Sequence, residues 1–257
     1  KYAIMWENAN AKGIVNLADL LDNLLPFWIE NYFRDDNYVR LDGKPLLVVY
    51  YPPRMREQLG GSNGVKTALA AMRKACEEAG LGGLYIMACE GTANEANLQQ
   101  FAAEGWDATS AYATFGPWNA TRPDPDGGIE NAYRPWVLGQ LDIFKAKREI
   151  GALPDIVNPM MGWDPRPWHG ELGCLHTGAP DAAAFKEFCQ QVKVEIDSRP
   201  ASSLDSKVVL FDNWTEFGEG HYIEPTSGTG FGFLNAIREV FCDPASPPAE
   251  ELIPEDI

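Results

Sequence analysis

The chain has 257 residues and a formal net charge of −16 at neutral pH. This length can bury one large core or two small ones, and the acidic surplus argues against nucleic acid or an anionic membrane surface as a partner. No stretch is long and apolar enough to predict a membrane-spanning helix, and the charge fits a neutral or cationic ligand or simply a solvated acidic surface.

Apolar segments typical of strands alternate with segments of helical periodicity. The predicted strands cover residues 2–6, 45–51, 83–89, 108–112, 155–160 and 207–213. The predicted helices lie near residues 16–33, 63–80, 94–104, 129–150, 181–198 and 230–241. The clearest helix, 63–80, places Val65, Leu69, Met72 and Cys76 on one face. This alternation implies an α/β protein whose parallel sheet is joined by crossover helices.

A closed (β/α)₈ TIM barrel needs eight such units and about 250 residues. Because the chain begins inside a predicted strand and shows six units, we expect the first two β/α units to be missing at its N-terminus. We therefore predict a (β/α) barrel over residues 1–242 and an extended, Pro- and Glu-rich tail over 243–257. The alternative is an open doubly wound sheet, although the sequence has no glycine-rich phosphate loop to support a nucleotide site.

Polar and aromatic side chains follow each predicted strand, where a barrel enzyme has its active site. In a barrel they would converge on one mouth, so they are the candidate substrate-binding and catalytic residues. In chain order they are Trp6, Glu7, Asn8, Tyr50, Tyr51, Glu90, Tyr112, Trp163, Asp164, Arg166, Trp214, Glu216, Glu219, His221, Tyr222 and Glu224.

Several of these candidates also have a structural interpretation, which the sequence leaves open. Trp6 and Trp214 could fill the core. Glu7 or Glu90 could form an ion pair with an arginine such as Arg166. Asp164 could simply start a turn, and His221 could be a packed side chain. Glu224 could cap or brace the loop.

Glu216 and Glu219 are the strongest catalytic candidates. They lie three residues apart in a segment that directly follows an apolar run. This segment is rich in glycine and aromatic residues, a setting that is unusual for charged side chains that are merely solvated. A pair of carboxyl groups is the machinery of most glycoside hydrolases. The eight Trp, nine Tyr and twelve Phe residues suffice to line a sugar-binding groove as well as to fill a core.

The five cysteines give no metal or cofactor prediction. They form no Cys-x-x-Cys pair and no zinc-like cluster with histidine, and His169 and His176 lack ligand spacing. A disulfide that involves Cys174 is left open. We expect neither a metal nor a cofactor.

The segment 214–225, Trp-Thr-Glu-Phe-Gly-Glu-Gly-His-Tyr-Ile-Glu-Pro, resembles the Asn-Glu-Trp-x-Glu-Gly-x-x-Leu/Ile-Glu-Pro signature of the WbsX-like proteins. These proteins are related to glycoside hydrolase family 99, the endo-α-mannosidases. Three further segments are similar to that group's motifs and occur in the expected order: residues 6–8, 38–45 with Tyr50, and 162–166. In that group the strand that carries the Trp-x-x-Asn-like motif is the third of the barrel, which supports the inference that two strands are absent here.

The resemblance implies a retaining glycoside hydrolase that acts on an α-linked glycan, such as mannan or a related polysaccharide. Glu216 would assist attack by the substrate's own 2-hydroxyl to give a 1,2-anhydro sugar, and Glu219 would act as general acid and then base. The aromatic candidates would hold the sugar, while Asp164, Arg166 and His221 would bind its hydroxyls.

The signature differs from the family pattern at three positions. Thr215 replaces the usual Asn, Phe217 the usual Trp and Gly218 an Ala or His, while both glutamates are retained. A non-catalytic carbohydrate-binding barrel and a polysaccharide-assembly glycosyltransferase are therefore alternatives, although no nucleotide-sugar motif supports the second. A missing N-terminal segment or a homo-oligomer could cover the exposed sheet edges, and hydrolase activity would favour a secreted or periplasmic location.

Overall fold

The computed structural model describes residues 1–9, 16–114, 133–170, 177, 180–212 and 214–248. The chain divides into two compact units. The first unit comprises Lys1–Tyr112 and Lys147–Ile156, and the second comprises Ala113–Ala146 and Val157–Ile257. The predicted tail is described only to residue 248.

Five strands form the sheet of the first unit. They are β1 (Ile4–Trp6), β2 (Arg40–Leu41), β3 (Lys44–Val49), β4 (Tyr85–Cys89) and β5 (Ala108–Ser110). The order β1-β3-β4-β5 is parallel throughout, and β2 pairs antiparallel with β3. The first four predicted strands are thereby confirmed, with shorter bounds, and so is the parallel α/β architecture.

The sequence of β3 accounts for its central place in this sheet. Leu46, Leu47, Val48 and Val49 are all buried, as expected for a parallel strand that is covered on both faces. The turn Asp42–Gly43, with φ of +49° and +78°, connects β2 to β3. Two central residues with positive φ are typical of the two-residue hairpins that match strand twist, which explains the Asp-Gly pair.

Helices occupy all six predicted regions within the described residues. The first is a continuous helical segment over 17–33, here α1, in which α-helical and π-helical stretches alternate. The others are α2 (Pro52–Gln58), α3 (Ser62–Glu78), α4 (Glu95–Glu104), α5 (Tyr133–Ile150), α6 (Arg166–His169), α7 (Ala182–Asp197) and α8 (Gly232–Phe241). The short helices α2 and α6 have no counterpart among the predicted elements.

The core of the first unit lies between its sheet and the helices α1, α2 and α3. Val65, Leu69, Met72 and Cys76 are fully buried, which confirms the predicted apolar face of α3. Burial raises the pKa of the Cys76 thiol to about 12, so this thiol stays protonated at neutral pH. None of the four cysteines among the described residues forms a disulfide, and Cys174 lies outside them.

Aromatic packing joins the helices of the second unit. The rings of Phe185 in α7 and Phe233 in α8 meet edge to face, with centroids 5.4 Å apart. Phe144 of α5 stacks on Phe188 of α7 at 6.4 Å. None of the helices that the structure describes combines the length and the apolar character that a membrane crossing requires.

The two last predicted strands do not form. In the range 155–160 there is a single β-bridge, from Asp155 to Thr109 within the first unit, and residues 207–212 contain no strand. The side-chain amide of Gln140 binds both the backbone N–H and the carbonyl of Met160, at 3.1 and 2.9 Å, and so occupies the groups that a sheet ladder would use. Apolar runs alone do not distinguish a strand from other buried segments. Closure of a barrel and the loss of two units remain predictions.

Glu104 is the acidic side chain around which α2, α3 and α4 are held in the first unit. Its carboxylate accepts hydrogen bonds from Arg56 at 2.6 and 3.0 Å, from Ser62 at 2.7 Å and from Trp106 at 3.0 Å. Burial by itself would raise the pKa of Glu104, but these hydrogen bonds and the charge of Arg56 outweigh it and lower that pKa.

A carboxyl group with a lowered pKa stabilises the fold above its unfolded pKa, and this stabilisation is lost as the pH falls through the folded pKa. We expect Glu104→Gln to lower the free energy of unfolding by about 2–3 kcal/mol at pH 7, with the deficit shrinking below about pH 4.5. Urea unfolding at a series of pH values measures this. The control is Glu78→Gln, which breaks only the exposed pair with Lys74 and should cost under about 1 kcal/mol. A deficit for Glu104→Gln that is the same at every pH would contradict the assignment.

Candidate active site

The segment that carries the two candidate glutamates folds as a small hairpin in the second unit. Strand β6 (Thr215–Glu216) pairs antiparallel with β7 (His221–Tyr222), so that Glu216 lies opposite His221. A single 3₁₀ turn, Phe217–Glu219, and Gly220 join the strands. We call residues 216–220 the glutamate turn.

Glu216 precedes this 3₁₀ turn and Glu219 ends it. The two residues are therefore three positions apart along the chain, on either side of a single turn. Both residues are half-buried. The local fold thus brings the two predicted catalytic residues into one turn.

The segment 163–168 packs directly on the glutamate turn. The backbone N–H of Asp164 donates to the carbonyl of Glu219 at 2.6 Å. Gly220 has a φ of +56°, and a Cβ at this position would lie 2.6 Å from Cβ and 2.8 Å from the backbone nitrogen of Asp164. Only glycine combines this backbone conformation with so close an approach. The backbone of Glu219 is therefore held by the neighbouring segment.

Trp168 of α6 occupies the space beside Gly218. A Cβ built on Gly218 would lie 1.3 Å from Nε1 of the Trp168 indole, so no other residue type fits there while the indole keeps its position. Trp168 as a whole is 67% exposed. Trp168 is not among the predicted site residues.

Asp164 and Arg166 bind each other instead of pointing freely into solvent. Nε and Nη2 of Arg166 donate to the two carboxylate oxygens of Asp164 at 2.7 and 2.5 Å. The ion pair is partly exposed, so a sugar hydroxyl could still reach it. Arg166 is the partner of Asp164, and the turn interpretation of Asp164 is supported by its additional bond to the backbone N–H of Arg166.

His221 is buried, with 1% of its surface exposed. Its Nε2 lies 3.4 Å from a carboxylate oxygen of Asp212, and its ring meets Trp163 edge to face at 6.1 Å. Thr177 binds the backbone of Trp163 on both sides, through its N–H at 2.8 Å and its Oγ1 at 3.0 Å. These contacts favour the packing interpretation of His221, and a direct sugar contact by its imidazole has no support in this geometry.

The remaining candidates of the second unit flank the same hairpin. Trp214 is 53% exposed, which excludes a role as a core residue. The backbone N–H of Glu224 donates to the carbonyl of Trp214 at 3.1 Å, so Glu224 helps to close the hairpin. The rings of Tyr222 and Phe217 are 4.6 Å apart.

The candidates of the first unit lie where its parallel strands end. The backbone N–H of Tyr50 donates to the carbonyl of Trp6 at 3.0 Å, and that of Glu90 donates to the carbonyl of Ser110 at 2.7 Å. Tyr50 and Tyr112 meet edge to face at 5.3 Å. Within this unit these strand ends therefore lie at one edge of the parallel sheet, and the role of their side chains in binding stays a prediction.

Three of these side chains have structural contacts. Trp6 packs against Trp28 at 5.5 Å. The amide of Asn8, which is 1% exposed, binds both the N–H and the carbonyl of Tyr51, at 2.7 and 3.0 Å. Asn8 therefore positions Tyr51, whose ring is 46% exposed, and its burial gives no support to a direct sugar contact.

The two acidic candidates of this unit bind their own loops. A carboxylate oxygen of Glu7 accepts a bond from the N–H of Ala9 at 2.9 Å. Glu90 accepts bonds from both donors of Thr92 and from the side chain of Asn97. These contacts support the structural interpretation of both glutamates.

Comparison with known proteins places the chain in a family. Residues 21–237 match the model of the family described as glycosyltransferase WbsX. The chain belongs to the WbsX family. The resemblance to WbsX-like and family 99-like proteins that the motifs predict is thus confirmed.

Two WbsX-like relatives come from Xanthomonas campestris pv. campestris. Protein WxcX of strain ATCC 33913, described as uncharacterised, is 24% identical over 249 residues, and WxcX of strain B100 is 24% identical over 252 residues. Each alignment covers 93% of this chain and 33% of WxcX. The chain therefore spans about a third of the length of the curated relatives that it matches.

Two solved structures resemble this WbsX-family chain. A glycoside hydrolase-like protein superposes with a TM-score of 0.59 at 16% identity, over 88% of this chain and 62% of the other. The family 99 endo-α-mannosidase of Bacteroides thetaiotaomicron superposes with a TM-score of 0.51 at 13% identity, over 93% and 63%. At such identities the likeness shows the fold alone, which is glycoside hydrolase-like.

The close fit of Trp168 and Gly218 generates a test by double-mutant cycle. Gly218→Ala should displace the indole and cost about 1–3 kcal/mol of unfolding free energy. In a Trp168→Ala background the added methyl group has room, so the same change should cost far less. Urea unfolding of the four proteins measures the coupling.

Gly220→Ala provides the matched control for this cycle. Its added methyl group would meet Asp164 and a positive φ, so its cost should be the same with and without Trp168. A cost for Gly218→Ala that does not depend on Trp168 would show that the indole does not occupy this position in solution.

Proposed function

We propose that the protein is a retaining glycoside hydrolase that cleaves an α-linked, mannan-like glycan, with Glu216 and Glu219 as its catalytic residues. The observation that carries the proposal is the pair of half-buried glutamates in one turn of a chain with a glycoside hydrolase-like fold. The endo-α-mannosidase among the structural neighbours supports the choice of substrate class.

In the first step Glu216 accepts the proton of the substrate's 2-hydroxyl while that oxygen attacks the anomeric carbon. The glycosidic bond breaks, and Glu219 donates a proton to the leaving oxygen. The product of this step is a 1,2-anhydro sugar with an inverted anomeric centre.

In the second step Glu219, now a carboxylate, accepts a proton from water, and this water attacks the anomeric carbon. The strained ring opens, and Glu216 returns its proton to the 2-oxygen. Two inversions leave the anomeric configuration unchanged. Because O2 of the substrate is the nucleophile, the separation of the two carboxyl groups need not equal the value of about 5–5.5 Å that is usual for retaining enzymes.

A glycosyltransferase of polysaccharide assembly is the second candidate. The description of the family supports it. The same turn could then bind an acceptor sugar, and Glu219 would deprotonate its hydroxyl. Transfer from a sugar nucleotide would separate this candidate from hydrolysis, because only transfer consumes the nucleotide sugar.

Glutamine substitutions in the intact protein test the assignment of the two glutamates. We expect Glu219→Gln and Glu216→Gln each to lower kcat/KM on α-linked manno-oligosaccharides by about 10²–10⁴, the usual contribution of a positioned acid or base. The matched control is Glu57→Gln, a glutamate whose side chain is 70% exposed and pairs with Arg54, which should leave turnover unchanged.

Three outcomes would contradict the proposal. Turnover that survives Glu219→Gln would remove its role as acid and base. Initial products of inverted configuration, observed by NMR, would exclude the two-step mechanism. Consumption of a sugar nucleotide without hydrolysis of any glycan would favour the glycosyltransferase.

A further inference from the structure

Exposed aromatic side chains in the second unit are concentrated around the glutamate turn. Four large apolar side chains in the described part of this unit are strongly exposed, and three of them are aromatic. These are Trp168 at 67%, Trp214 at 53% and Phe217 at 46%, and we call them the aromatic surface. Large aromatic side chains are usually mostly buried, so such a cluster marks a binding surface.

Each member of this surface is adjacent to a catalytic candidate. Trp168 lies against Gly218, between the two glutamates in sequence. Phe217 directly follows Glu216, and Trp214 precedes it by two residues. Exposed aromatic residues and two half-buried glutamates, whose carboxylates can accept hydrogen bonds from hydroxyl groups, therefore belong to the same turn and its immediate neighbours.

Two of the three rings are held in place before any ligand binds. The indole edge of Trp168 is fixed against Gly218, and its backbone N–H donates to the carbonyl of Pro165 at 3.0 Å. Phe217 packs on Tyr222, with centroids 4.6 Å apart. Pre-organised rings lose little conformational freedom on binding, which increases the affinity that their contacts provide.

We propose that Trp168 is a specificity-determining residue on which a neutral pyranose ring of the glycan stacks beside Glu219. A pyranose ring has an apolar C–H face and a rim of hydroxyl groups. The face matches the exposed indole, and the rim matches the carboxylates and the Asp164–Arg166 pair. This inference rests on the proposed function, because it takes the ligand to be a glycan. It adds a contact with Trp168 that neither the motif nor the family description contains.

A stacking residue affects binding more than chemistry. Its contact with the ring is the same in the ground state and in the transition state, so its loss should raise KM and leave kcat nearly unchanged. Trp168 also fixes Gly218, however, and a purely structural role would misplace Glu219 and lower kcat instead. The split between KM and kcat therefore distinguishes the two roles.

The experiment compares Trp168→Ala and Trp168→Phe in the intact protein with a panel of α-linked manno-oligosaccharides, by calorimetric titration and by kinetics. We expect Trp168→Ala to raise Kd and KM roughly tenfold, equivalent to about 1.4 kcal/mol, and Trp168→Phe to stay within about threefold of the parent. The control is Phe27→Ala, which removes an aromatic ring that is 52% exposed on α1 and should change neither constant.

Other outcomes overturn the inference in distinguishable ways. If the parent cleaves glycans and Trp168→Ala binds them equally well, or loses kcat alone, stacking on Trp168 is wrong while the proposed function stands. If the parent neither binds nor cleaves any of these glycans, the proposed function fails and the stacking contact fails with it. Titration with tetramethylammonium is the third arm, because rings beside carboxylates also suit cations. If Trp168→Ala abolishes binding of tetramethylammonium but leaves binding of the glycans unchanged, the ligand of Trp168 is a cation and not a sugar.

Discussion

The site depends on a backbone contact between two segments of the second unit. The N–H of Asp164 donates to the carbonyl of Glu219, and Gly220 allows this approach because it has no side chain and a positive φ. The catalytic candidate Glu219 is thus positioned through its main chain. The neighbouring Asp164–Arg166 pair stiffens the same segment, so that the order of this turn comes from residues well before it in the sequence.

Structural and functional roles are divided among the candidates in a physically consistent way. Asn8, Glu7, Glu90 and His221 bind backbone groups or buried partners. The exposed large apolar side chains near these candidates are aromatic and include Tyr51, Trp214 and the unpredicted Trp168. The polar residues thus hold the loops in place, and the aromatic residues face the solvent from which a ligand would arrive.

Elements with strong local sequence signals could be predicted from the sequence. The prediction was wrong where a side chain takes the hydrogen bonds that a neighbouring strand would otherwise make. The first four strands and all six helical regions follow from hydrophobic periodicity and glycine turns, and the glutamate pair from its motif. The segment around Met160 was predicted as a strand because it is apolar, yet Gln140 takes up its backbone groups. The contact of Trp168 with Gly218 involves residues 50 positions apart, and no local pattern of either segment contains it.

The missing side chain at Gly218 couples this position to Trp168 and so restricts which substitutions the turn accepts. A family member with alanine or histidine at this position would fill the space with a side chain of the turn itself, whereas here an indole from α6 fills it. Neither residue can be exchanged alone without a collision or a void, so the two positions are expected to vary together among relatives. A change of subsite chemistry along this lineage would then require a paired substitution, and the residue at 218 would indicate which of the two arrangements a given relative has.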